Sequence, residues 1–188
     1  MKLRGSRHTF LLSSAAVLAG VMVVAGCNKP SHPDEKSAVT DSLKNNNLGA
    51  VSVSQDRDKG VMTLTGDVTS RDHKSQAETL ARQAAPDYTI ADEIGVRPAG
   101  DQGQAGSVAS NLDSGIEDNF KASIKAHKNL DDQSIQAKAK NGTLVLTGSV
   151  KTSDQKKEAG KLAKKVPNVQ QVVNELEVKP GKHSTNNS

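Results

Sequence analysis

The chain has 188 residues, 25 lysines and arginines against 21 aspartates and glutamates, a formal charge of +4, one tyrosine, two phenylalanines and no tryptophan. So few rings exclude the stacking platforms that hold single strands or RNA loops. Nor does the charge argue for nucleic acid, since Lys2, Arg4 and Arg7 belong to a leader and 4 − 3 leaves about +1 for the remainder.

The leader comes first. After those three basic residues runs FLLSSAAVLAGVMVV, Phe10 to Val24, without a charge. Residues 1–26 therefore read as an export signal, with an apolar core too short for a membrane span. The run closes in Val24-Ala25-Gly26-Cys27, with the sole cysteine of the chain last. This resembles the lipobox of bacterial lipoproteins, which implies a diacylglyceryl group on the Cys27 thiol, cleavage before it and acylation of the new amine. Two or three acyl chains, at about 0.8 kcal/mol per buried methylene, anchor stably where one does not. Asn28 in place of Asp implies the outer membrane, facing the periplasm, where the organism has one, and the cell membrane otherwise.

Residues 27–34, with NKPSHPD and two prolines, read as a lipidated, extended tether. Residues 35–98 then form a first unit, with Val39 and Leu43 on a helix and Val51 and Val53 pairing with Met62 and Leu64 in a hairpin. Ala77, Leu80 and Ala81 lie on a second helix, and Ile90, Ile94 and Val96 on a last strand. Residues 99–112, polar, Gly-rich and without apolar period, read as a linker.

Residues 113–180 repeat the order. Ile116, Phe120 and Ile124 mark one face of a helix capped at Asp113 or Ser114, and SIQAKAK alternates from Ser134. Asn141-Gly142 supplies a tight hairpin turn and TLVLTGSV returns. Ala159, Leu162, Ala163 and Val166 face inward from a second helix, ended by Pro167, and Val172, Leu176 and Val178 alternate in a closing strand. Residues 181–188 read as a flexible tail.

The two units align at an offset of 82, matching Gly60 with Gly142, Leu64-Thr65-Gly66 with Leu146-Thr147-Gly148, Val68 with Val150 and Leu80-Ala81 with Leu162-Ala163. The order α-β-β-α-β, with L-x-G-x-V, A-x-x-L-A and a closing V-x-N-x-L-x-V, resembles the BON domain. Unit two carries the pattern at Gly142, Leu146, Gly148, Val150, Ala159, Leu162, Ala163, Val172, Asn174, Leu176 and Val178. Unit one departs where Asp92 replaces the asparagine and where PDYTI is one residue shorter than PNVQQV, which leaves its last strand less secure. The resemblance implies an α+β class, two tandem domains each with a three-stranded mixed sheet against two helices. Together with the lipobox it implies a dual BON-domain bacterial envelope lipoprotein. For such proteins it implies envelope integrity, osmotic-stress tolerance and binding of anionic phospholipid, with no catalytic residues. A protein adaptor in the periplasm is the alternative, and potassium or small-ion binding a third, since a cytosolic relative joined to a LysM module binds potassium.

The residues themselves contain no catalytic, metal or cofactor constellation, because the five histidines are scattered and no cysteine pair exists. Charge divides unequally: residues 35–98 hold eight bases against ten acids, net −2, and residues 113–180 twelve against nine, net +3. Lys121, Lys125 and Lys128 form a stripe beside Phe120 and Ile124, and Lys157, Lys161, Lys164 and Lys165 form a secondary basic face. Such stripes suit a helix lying at a lipid interface, with the lysines on phosphates and the apolar edge in the headgroup boundary. Lipid identity, oligomeric state and the packing of the units do not follow from the sequence.

Overall fold

The computed structural model describes residues 31–98, 100 and 102–179. Unit one runs α1 (Lys36–Asn45), β1 (Ser52–Asp56), β2 (Val61–Thr65), β3 (Asp67–Val68), α2 (Arg71–Ala84), β4 (Thr89–Asp92) and β5 (Gly95–Val96). Unit two runs α3 (Gln102–Lys125), β6 (Ser134–Lys140), β7 (Thr143–Val150), α4 (Ser153–Ala163), β8 (Gln171–Asn174) and β9 (Glu177–Val178). In each, an antiparallel hairpin gains a third strand in parallel, as β1-β2-β4 and β6-β7-β8. The class is α+β and the order α-β-β-α-β, with β2 and β3, β4 and β5, and β8 and β9 each one interrupted strand, since β5 continues the parallel pairing on β3 and β9 continues it on β7.

The hairpin turn of unit two forms because Asn141 and Gly142 take φ of 48° and 83°, the left-handed values a tight turn demands. Gly66 and Gly148, at φ 114° and 105°, serve close backbone approach: a Cβ there would stand 2.5 Å from the Ala50 carbonyl oxygen and 2.0 Å from that of Ser134. Ser70 caps α2 by accepting from His73 N, and Thr152 with Gln155 builds a reciprocal capping box on α4.

The last strand of unit one is as firmly registered as that of unit two. Val61 faces Thr89 through to Leu64 facing Asp92, and Thr143 faces Gln171 through to Leu146 facing Asn174, every pair shifted by 82. No residue is missing, because the offset of 82 holds from α2 through β4; Pro86 only stands one position later in its unit than Pro167 does.

Each sheet buries one face under its helices. Val39 and Leu43 of α1 and Ala77 and Ala81 of α2 cover Val53, Met62, Leu64 and Ile90. Ile116, Phe120 and Ile124 of α3 and Ala159 and Ala163 of α4 cover Leu144 and Leu146. One expectation changes: the stretch read as linker is helical from Gln102, so α3 has 24 residues and no cap at Asp113 or Ser114. Ser114 bonds back to Ser110 O, while Asp113 accepts from Asn141 N at 2.8 Å and Gly142 N at 3.0 Å, bracing the hairpin turn. The early turns lack apolar period because they have no core to face; Val108 and Leu112 are exposed.

The units meet through their helix-free sheet faces, where Val61 and Ala91 pack with Val173 and Val145. Gln171 donates to Ile90 O at 2.7 Å and accepts from Asp92 N at 2.8 Å, so its amide stands in for a neighbouring strand on the β4 edge. Thr143 donates its hydroxyl to Asp92 O. The contact is reciprocal: Lys59 Nζ reaches Glu175 at 2.8 Å, and Asn141 Nδ2 donates to Glu93 O at 2.7 Å. Position 59 corresponds to 141 and 93 to 175 at the same offset of 82, so the two units contact each other about an approximate twofold.

Candidate functional site

The lysine stripes of unit two stand where helix packing leaves them. On α3, Ile116, Phe120 and Ile124 point into the core at i, i+4 and i+8, which turns Lys121 and Lys125, with Lys128 just beyond the helix end, to solvent. On α4 the small Ala159 and Ala163 let the helix lie close on the sheet, and Lys157, Lys161, Lys164 and Lys165 face outward. Of these seven, only Lys157 has an ion-pair partner among the described residues, Asp154 at 3.7 Å. The others present unneutralised ammonium groups.

Phe120 is 2% exposed and Ile124 8%, so the apolar edge expected to enter a headgroup boundary is core instead. Burying a phenylalanine removes more apolar area from water than any other contact this helix could make with it. The stripe is therefore a charged surface without its own apolar wedge. Cys27 and the leader lie outside the described residues.

α3 and α4 share one layer. Gln155 donates to Asn129 O at 2.7 Å, and His127 Nε2 lies 3.9 Å from Glu158, joining the end of α3 to the start of α4. At this end Lys151 meets Asp132 at 2.6 Å, and the ammonium with Gln133 holds the Asp132 carboxyl below its ordinary range.

Sequence reading missed a cleft of about 830 Å³ between the units, walled by α2 on one side and by α3 and the Asn141 turn on the other. Its cations are largely matched: Lys74 lies 3.8 Å from Asp92, Arg82 2.5 Å from Glu78 and Arg97 2.6 Å from Asp67. Burial pushes up the carboxyl of Asp92 in its wall and that of the neighbouring Glu93. No signal in a single unit could have located it, because it exists only between the two. Among the described residues no group of three histidine, cysteine, aspartate or glutamate side chains could hold a metal ion, and no helix is long and apolar enough to cross a membrane.

The tether also differs from expectation. Residues 31–34, read as free extended chain, lie against unit one: His32 N donates to Arg57 O at 3.2 Å and Arg57 Nε returns a bond to His32 O at 3.0 Å.

Comparison with known proteins places these features. The family model described as BON domain matches residues 35–98 and 112–180, well over half the chain. The chain is 27% identical over 169 residues to Osmotically-inducible protein Y of Escherichia coli strain K12, covering 86% of this chain and 81% of that one. Among solved structures it is similar to CdsD, a structural protein of the type III secretion system of Chlamydia trachomatis, at 12% identity and a TM-score of 0.30, covering 79% of this chain and 63% of that one. The C-terminal domain of CdsD matches at 13% identity and a TM-score of 0.31, covering 76% of this chain and 96% of that domain.

Proposed function

The chain belongs to the BON domain family, and from that premise we propose that it is a lipid-anchored envelope protein that binds anionic phospholipid surfaces, without catalysis, in support of osmotic-stress tolerance. The anchor is Cys27, held at the outer membrane where Asn28 directs it. The observation that carries the binding reading is the set of six exposed lysines on unit two, Lys121, Lys125, Lys128, Lys161, Lys164 and Lys165, with no ion-pair partner among the described residues. A lysine near an anionic membrane is worth about 1 kcal/mol, so the three at the end of α3 add up to adhesion once an anchor supplies proximity.

Vesicle co-sedimentation of the chain from residue 28, with and without anionic lipid, tests this. Lys121→Glu with Lys125→Glu should lower partitioning at least roughly 30-fold if each lysine carries about 1 kcal/mol, since the new carboxylates also repel the surface. Equal recovery in the supernatant for parent and variant, whatever the lipid, would sink the reading.

A second reading, a protein adaptor, is favoured by Val108 and Leu112. They stand 58% and 46% exposed, one turn apart on the early part of α3. Crosslinking in cells that captures one protein through this pair, and loses it on Val108→Ser with Leu112→Ser while lipid binding persists, would establish that role.

A further inference from the structure

The first described residues are docked, and unit one is modified to receive them. Ser31 Oγ lies 3.0 Å from Arg57 O and 2.9 Å from Asp58 O, His32 N donates to Arg57 O, and the Arg57 side chain donates through Nε to His32 O. Tyr88 donates its hydroxyl to Pro33 O, and Gln55 Nε2 donates to the same oxygen at 2.8 Å. Gln55 Oε1 accepts from Lys36 N at 3.2 Å, so one side chain spans the junction of tether and α1. The His32 ring lies 5.3 Å from that of Tyr88 and fills the space over Gly60, where a Cβ would come within 2.4 Å of it.

Unit two covers its corresponding glycine by itself. Gln170 lies over Gly142, within 3.0 Å of where a Cβ would be. Position 170 corresponds to Tyr88 at the same offset of 82, so the chain between helix and last strand is equally long in the two units. Unit one, with a tyrosine there whose hydroxyl goes to Pro33 O, leaves that place to His32. The exchange of glutamine for tyrosine thus coincides with a seat for the tether.

Between Cys27 and Ser31 lie three residues, Asn28 to Pro30. Four Cα steps span about 14 Å at full extension. Resting on the reading of Cys27 as a lipid anchor, we infer that the docked residues 31–33 hold the β1–β2 turn, Arg57 to Gly60, against the membrane surface, within the reach of the four Cα steps from Cys27 to Ser31. Lys59 in that turn is already engaged by Glu175 and Asp56, so the contact is one of placement and leaves lipid selection to the stripes of unit two. Because Lys59 joins the turn to unit two, the same docking limits how far unit two can stand from the bilayer.

The test uses the full lipoprotein reconstituted in vesicles containing headgroup-nitroxide lipid, with a fluorophore on Asp58→Cys or, at the opposite end of the sheet, on Thr69→Cys. Mass measurement of the mature N-terminus comes first, and an unmodified Cys27 overturns the anchor and this placement with it. With the lipid present, the inference expects stronger quenching at position 58 than at 69. It also expects that excess to vanish on Ser31→Gly with His32→Gly, and again on inserting ten Gly/Ser residues after Pro30, which keeps the dock but adds roughly 17 Å of reach. Equal quenching at 58 and 69 in the parent, or an excess untouched by the insertion, overturns the placement while leaving the anchor standing.

Discussion

Asp92 occupies the place of Asn174 in unit two. There the asparagine uses both ends of its amide, donating to Lys156 O at 2.8 Å and accepting from Leu176 N at 3.2 Å. A carboxylate can only accept, so Asp92 keeps the bond from Ile94 N at 3.1 Å and takes Lys74, 3.8 Å away, in place of the donor half. Burial outweighs that lysine and pushes the Asp92 carboxyl above its ordinary 3.8. A folded state that holds its proton more tightly than the unfolded chain draws full stability from this group below the unfolded value and loses it as pH rises through the folded one. Glu93, raised chiefly by burial as well, has the same sign. Asp92→Asn should therefore raise the melting temperature at pH 7 and leave it nearly unchanged at pH 4, a trend that thermal scans across that range will read. Glycine positions separate in the same way: Gly148→Ala, at positive φ and facing a backbone oxygen, should cost at least about 1–3 kcal/mol by urea denaturation. Gly115→Ala, exposed within α3 with nothing near its missing Cβ, should gain about 0.5–1 kcal/mol.

At the scale of the element, α3 is two helices' worth of information in one. From Ile116 onward the apolar spacing made its inward face legible, and Phe120→Ala should cost about 3–5 kcal/mol in chemical denaturation. The turns before Asp113 were illegible because periodicity reports a buried face, and these turns have only partial cover. The same logic misassigned Phe120 and Ile124 as an apolar rim: the spacing that placed them beside the lysines also placed them on the core side. Lys121→Glu with Lys125→Glu should leave stability within about 0.5 kcal/mol of the parent, since both are exposed and neither has an ion-pair partner among the described residues. Loss of vesicle binding in a variant with an unchanged melting curve would assign the stripe to the surface role alone.

For the whole molecule, the offset of 82 foretold that two like folds would form and said nothing of how they meet. That information lies in residues that are not identical between copies. Lys59 answers to Asn141 in position but bonds through a different group, and Gln171 reaches the β4 edge from a position where unit one has Thr89. Gln171→Ala removes two hydrogen bonds to β4, at about 0.5–1.5 kcal/mol each, and should split one calorimetric transition into two as the units uncouple. A single unshifted transition would show that the apolar contact around Val61, Ala91 and Val173 suffices. A twofold contact between separate molecules would rise and fall with their abundance. Joining the partners through α3 makes the encounter intramolecular, at an effective concentration that dilution cannot change. A chain so built keeps its paired form whether it is scarce or plentiful.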